Sequence, residues 1–137
     1  MSIINVDQRL LYCIVVSGPV YGTQNACIAW KFADALITEG HILNSVFFHQ
    51  DGVSNANAMI FPINDEFNLL AAWKNLKKKA KCQLNVCISS ALRRGIINDD
   101  EAKSSKIFFA TADSDFTFIG LVGLTKAMLI CDRTVQF

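Results

Sequence analysis

The sequence predicts an α/β fold: one domain, a three-layer sandwich in which a mainly parallel sheet is flanked by helices. Three observations carry this. Short apolar runs of strand length alternate with longer segments whose apolar residues recur every three or four positions, the order that builds parallel sheets through right-handed crossovers. The length, 137 residues, suits a single core burying roughly two-thirds of the unfolded surface. Hydrophobic residues make up 52% and charged residues 18%, with mean hydropathy +0.31, which fits a sheet covered on both faces or a subunit with a buried interface. No internal repeat or low-complexity segment is present.

Taken in order, Met1–Arg9 is a polar lead-in and residues 10–137 form the domain. Leu10 to Val16 is a continuous apolar run, a buried strand that enters the Gly/Pro-punctuated loop Ser17–Gly22. Thr23 is placed to cap a helix reaching Glu39, with Ala26, Trp30, Ala33 and Ile37 on its apolar face and Gly40 as the stop. Ile42 to Phe48 is the second strand. His49 to Asp65 has no clear period, and a loop of that length inside a compact domain is usually functional or mobile. Asp65 is expected to cap the next helix, whose stripe is Leu69, Trp73, Leu76 and Ala80 and whose end is closed by lysines. Gln83 to Ile88 is the third strand, followed by a short helix over Ser90–Gly95 and a second capped start at Asn98, before Asp99, Asp100 and Glu101. Phe116–Ile119 is a fourth strand. Leu121–Ile130 is a helix with Leu121, Leu124 and Met128 inward, and Arg133–Phe137 is the last strand.

Composition removes several function classes. A net charge of +1 leaves no electrostatic footprint for nucleic acid, and the basic run Lys77-Lys78-Lys79-Ala80-Lys81 reads as a solvated helix end complementing the dipole. Five cysteines without a Cys-x-x-Cys pair, beside only two histidines, give no support to a zinc site, and no other cofactor is called for. The Ser17–Gly22 turn lacks both glycine-rich nucleotide fingerprints, and Pro19 removes a backbone donor that a phosphate cradle would use. The start of the chain shows no signal-peptide pattern, and the bulky Tyr12 before Cys13 argues against a lipoprotein site. The longest greasy stretch, Phe116 to Cys131, contains Lys126 and is too short for a membrane span. A reducing cytoplasm is the expected home of these thiols.

Chemistry points to Cys87. In the strand Gln83–Ile88, Leu84, Val86 and Ile88 share one face while Gln83, Asn85 and Cys87 share the less apolar one. Ser89 or Ser90 is placed to cap the following helix, so its unpaired N–H groups fall near the sulfur and favour thiolate, the nucleophile in cysteine chemistry. Arg93 and Arg94 add positive charge about a turn further on. Ligands in such open sheets gather at the carboxyl ends of strands, which is where Cys87 lies. Cys13 falls mid-strand, Cys27 within the first helix, Cys82 before its strand and Cys131 at a helix end. The plainer reading of Cys87 is a small buried hydrophobe. His49, at the end of the second strand, is in place to assist a nearby thiol, though a histidine at a loop edge is more often solvated.

Several segments, in their order and spacing, resemble the DsrE-like family of sulfur-relay proteins. They are Val15–Gln24, Ser45–Phe48, Gly52–Asn57, Asp65–Phe67, Leu84–Cys87 with Ala91–Gly95, and the terminal Cys131–Phe137. The resemblance implies a sulfurtransferase that accepts sulfane sulfur as a persulfide on Cys87 from a TusA-like donor. It passes that sulfur to a TusE-like acceptor for thiolation of the wobble uridine of tRNA. It also implies TusB-like and TusC-like partners in a heterohexamer, with no direct contact to nucleic acid or membrane. Two departures stand out: the lead-in Met1–Arg9 is long for the family, and His49 occupies a position where an aromatic residue is expected. The competing readings are a carrier serving dissimilatory sulfur oxidation and a non-catalytic interaction subunit with Cys87 in its core.

Overall fold

The structure is a computed structural model, and it describes residues 8–137. The expected lead-in therefore lies, as far as Asp7, outside the described residues. Five strands form one sheet: β1 (Leu11–Val16), β2 (Ile42–Phe48), β3 (Gln83–Cys87), β4 (Thr117–Ile119) and β5 (Arg133–Gln136). Their order is β4-β3-β2-β1-β5 and every pairing is parallel. The helices are α1 (Asn25–Thr38), α2 (Leu69–Ala80), α3 (Ile88–Leu92), α4 (Asp99–Ser104) and α5 (Leu121–Ile130). This is the parallel, helix-flanked sheet that the alternating pattern predicts.

Chain order explains the layers. Steps β1 to β4 all run one way across the sheet, whereas the step from β4 to β5 runs back across it, so right-handed connections place α5 on the opposite face from α1 and α2. The α1 and α2 side holds most of the core. Ile14, Val16, Val46, Leu84 and Val86 are fully buried there, and Phe48 meets Trp73 of α2 edge-on at 5.1 Å.

Two helix starts differ from expectation, α2 because a cap residue nearer its first turn takes the role and α1 with no side-chain cap at all. Asn68, not Asp65, caps α2 by accepting from the Ala71 N–H at 3.0 Å, and α1 begins after Gln24, with Thr23 Oγ1 only brushing the Asn25 N–H at 3.4 Å. Asn98 does cap α4, accepting from the Glu101 N–H at 2.9 Å. Gly40 ends α1 at φ +95°, a conformation other residues adopt at a cost.

The segment after β2 is not an unstructured loop. Gln50–Ala56 forms a 3₁₀ helix in which Gly52, Val53, Asn55 and Ala56 are buried. Asn55 organises it: its amide donates to the carbonyls of Gly18 at 3.2 Å and Gly52 at 2.8 Å, while its oxygen accepts from Trp73 Nε1 at 3.1 Å. One buried side chain thus ties the exit of β1, the 3₁₀ helix and α2 together, and no buried polar side-chain atom among the described residues is left unpaired.

The largest departure is α5. Leu121 and Met128, expected inward, are 53% and 47% exposed, Leu129 is 81% exposed, and only Leu124 packs on the core. Because nearly every residue of this helix is apolar, its sequence has no stripe from which a buried face can be read.

Candidate functional site

Cys87 is at once the last residue of β3 and the residue that caps the start of α3. Strand alternation decides where its side chain goes. Leu84 and Val86 lie in register with Val46 and Phe48, on the α2 side, so Asn85 and Cys87 point to the face that α5 covers. On that face Cys87 pairs in register with Ile119 of β4. Ile88 does not continue the strand, as expected from its apolar character, but turns into α3 and is 37% exposed.

The two serines sit two and three residues past the cap position they are expected to fill. Ser89 and Ser90 occupy the first turn of α3, where backbone N–H groups have no helical partner. Ser89 Oγ lies 3.6 Å from Cys87 Sγ. Burial pushes the Cys87 thiol up, but the hydroxyl and amide of Ser90, then those of Ser89, pull it down by more, so it lies below its ordinary value of 9.0. No charged group takes part in this balance.

Arg94 is occupied elsewhere. Its Nε donates to Asp51 Oδ1 at 3.0 Å and its guanidinium also donates to the Ser90 carbonyl at 3.0 Å, which fastens α3 to the 3₁₀ helix. Arg93 is exposed at the end of α3. His49, half-buried, heads the 3₁₀ helix with its ring 6.1 Å from that of Phe47; its backbone N–H donates to the Val16 carbonyl at 2.9 Å. The structure therefore brings Ser89 Oγ to the sulfur, with Ser90 next to it in the same turn, and shows no hydrogen bond to it from Arg93, Arg94 or His49.

The other cysteines have different surroundings. Burial raises the thiols of Cys13 and Cys131, and pushes Cys82 up to about 11. Cys27, half-buried, lines a cavity of about 440 Å³ with Tyr21, Ser54, Asn57, Glu66 and Phe67, and Tyr21 closes one side by donating to Glu66 at 2.6 Å. Cys87 is not among the residues lining that cavity; its shielding comes from close packing, at 2% exposure, rather than from an enclosed pocket. Among the described residues no cluster of three His, Cys, Asp or Glu side chains is placed to hold a metal, and no helix is long and apolar enough to cross a membrane.

Sequence reasoning missed Gln50 and Asp51, which reach α3 from forty or more positions earlier. No local spacing signals a contact of that separation.

A buried thiol below its ordinary pKa, at a strand-to-helix junction, suits nucleophilic sulfur chemistry, and the relatives of this chain agree with that chemistry. Sulfurtransferase TusD of Photorhabdus laumondii is 47% identical over 128 residues, covering 93% of this chain and 98% of the relative. The same name and the same figures apply to a relative from Yersinia pestis. Among solved structures, the YchN protein of E. coli shares the fold with a TM-score of 0.74 at 18% identity, covering 93% of this chain and 99% of its own. The model of the DsrE/DsrF-like family matches residues 11–137, and the chain belongs to that family.

Proposed function

We propose that this chain, a sulfurtransferase like its TusD relatives, carries sulfane sulfur as a persulfide on Cys87. The observation that supports the residue choice is the direction of the thiols: Cys87 is pulled down, while Cys13, Cys82 and Cys131 are pushed up. A thiolate is needed twice. In loading, the Cys87 thiolate attacks the outer sulfur of a donor persulfide, a new S–S bond forms, and the donor leaves as its thiolate. In delivery, an acceptor thiolate attacks the outer sulfur of Cys87–S–SH, and the electron pair of the broken bond returns to Cys87. With Cys87 at 2% exposure, both steps include a local opening at the end of β3.

In the finer reading, a TusA-like protein is the donor, a TusE-like protein is the acceptor, and the sulfur is destined for the wobble uridine of tRNA, in the cytoplasm. Residues 10–137 act as one unit, assembled with TusB-like and TusC-like subunits. The exposed Leu121, Val122, Leu129 and Ile130 of α5 support assembly, since that many large apolar side chains on one short helix are costly in water without a partner.

The test is to incubate the purified chain with a persulfidated donor, trap with an alkylating agent and map the added sulfur by peptide mass. The expected result is sulfur on Cys87 and none in a folded Cys87→Ser variant. Loading that survives in Cys87→Ser would overturn the assignment. Loading that fails both alone and in the assembled complex would make the chain an interaction subunit with Cys87 in its core.

A further inference from the structure

Among the described residues, the hydroxyl placed in hydrogen-bond contact with Cys87 Sγ is that of Ser89, at 3.6 Å. We infer that this serine tunes the Cys87 sulfur for transfer: its oxygen accepts the S–H of the neutral thiol, and the same hydroxyl turns to donate to the thiolate. The inference rests on the reading of Cys87 as the sulfur carrier. A hydroxyl carries one proton and two lone pairs, and a thiol is both a weak donor and a weak acceptor, so the pair stays bonded in either protonation state. Ser89 Oγ has no other hydrogen-bond partner among the described residues, which leaves it free to follow the charge on the sulfur.

Helix geometry aims the hydroxyl. Cys87 holds the cap position of α3, and Ser89 is the second residue of that helix. Side chains on a helix lean toward its amino end, so the Ser89 hydroxyl tips back over the cap residue. The turn itself is fastened from two sides. The Ser89 carbonyl accepts the Arg93 N–H at 3.1 Å, and the Gln50 N–H donates to Ser90 Oγ at 3.1 Å. Arg94 donates both to the Ser90 carbonyl and to Asp51, each at 3.0 Å. Burial then divides the pair: Cys87 is 2% exposed, whereas Ser89 is an exposed residue. Ser89 is thus the polar group between a shielded sulfur and solvent.

The consequence for transfer is asymmetric. Negative charge sits on Cys87 Sγ before loading and returns to it at delivery, when Sγ is the leaving group. A donated hydrogen bond stabilises that charge, and a better-stabilised thiolate leaves faster but attacks more slowly. Ser89 therefore favours delivery and, below the thiol's pKa, enlarges the thiolate fraction available for loading.

The charged and titratable groups on the elements around this pair are few. β3, β4 and α3 contribute none besides Cys87 itself. Asp51 and Arg94 are paired with each other, His49 heads the 3₁₀ helix, Arg93 is exposed at the end of α3, and α5 carries Lys126. A pH profile of Cys87 alkylation in the full chain reads the hydroxyl directly. Ser89→Ala, at an exposed helix position where alanine is well tolerated, is expected to move the midpoint upward by about half a pH unit. Ser89→Thr, which keeps a hydroxyl, should restore the parent's midpoint. On the plateau above the midpoint, Ser89→Ala should react about 1.5-fold faster, because the more basic thiolate is the better nucleophile. A midpoint that stays in place in a folded Ser89→Ala would overturn the inference, even with a rate raised at every pH, since that marks easier access to the sulfur and not a changed charge. Should Ser89→Ala lose its fold, Ser89→Asp decides. Its carboxylate offers the sulfur a charged acceptor in place of a donor, so the midpoint should rise by about one pH unit, and an unmoved midpoint would refute the contact. Alkylation reports the thiolate whether or not the chain accepts sulfur. A shifted midpoint in a chain that refuses sulfur would sink the proposed function and leave the bond between Ser89 and Cys87 standing; sulfur loading with an unmoved midpoint would do the reverse.

Discussion

Cys82 and Cys87 bracket the same strand, and they are equally hidden, at 3% and 2% exposure. Their thiols nonetheless move in opposite directions. At the amino end of β3, burial pushes Cys82 up to about 11, and neither its own backbone amide nor the Lys77 charge offsets this. At the carboxyl end, burial presses less deeply on the Cys87 sulfur, and hydrogen bonds from two consecutive serines overcome it. The difference teaches that a residue's small exposure does not by itself make a cysteine inert: what surrounds the sulfur decides. Contact hydrogen bonds at the start of a helix outweigh a cation further off, because they act at full strength where water has been removed. The strand itself makes the asymmetry: its carboxyl end opens onto N–H groups that the next helix cannot use.

The largest consequence is kinetic. At pH 8 the thiolate fraction of Cys87 should exceed that of Cys82 by on the order of 100-fold. Timed alkylation of the native chain, followed by peptide mapping, should label Cys87 first by roughly tenfold, since the less basic thiolate is also the weaker nucleophile. Equal labelling of the two would break the comparison outright.

Gly52 offers a way to spoil one end of the strand and not the other. A Cβ at this position would lie 2.0 Å from the Val16 carbonyl oxygen and 2.8 Å from its carbon, backbone atoms that have nowhere to go. Gly52→Ala must therefore lift the 3₁₀ helix off β1, at about 2–4 kcal/mol measured by urea unfolding. The same lift draws Gln50 away from Ser90, so the Cys87 alkylation midpoint should rise while that of Cys82 stays. A variant as stable as the parent would show that the 3₁₀ helix does not depend on its close approach to β1.

How much of this was legible beforehand differs between the two ends as well. The second strand, α5's limits and the position of Cys87 follow from period, length and glycine placement. The serines were visible as polar residues beside the cysteine, but their role as sulfur donors rather than caps depends on β3 ending one residue early, with Ile88 joining α3. What ties α3 to the 3₁₀ helix, the Gln50 N–H on Ser90 and the Arg94 to Asp51 pair, joins residues 40 and 43 positions apart and leaves no local pattern. The exposed faces of Leu121 and Met128 were illegible for another reason: an all-apolar helix looks equally ready to be buried on every side.

The smallest effect is thermodynamic, and its sign separates the two thiols. Below pH 9.0, the ordinary thiol value, Cys82 is protonated whether the chain is folded or not. Between 9.0 and about 11 the unfolded chain has released this proton while the folded chain still holds it, so stability is lost as pH rises through that window. The loss by pH 10 is about 1 kcal/mol. Lysines and tyrosines titrate in the same range, so the measurement is the difference between the parent and Cys82→Ala. That variant starts about 1 kcal/mol lower at neutral pH because of the small cavity, and its curve should converge on the parent's by pH 10. Cys87 must do the reverse. Its lowered thiol contributes stability that is complete above 9.0 and is lost as pH falls through the folded value, so Cys87→Ala should diverge from the parent as pH rises toward 9.0. Convergence for one variant and divergence for the other would place the opposite signs on the two ends of β3; two parallel curves would show that the serines do not stabilise charge on Cys87.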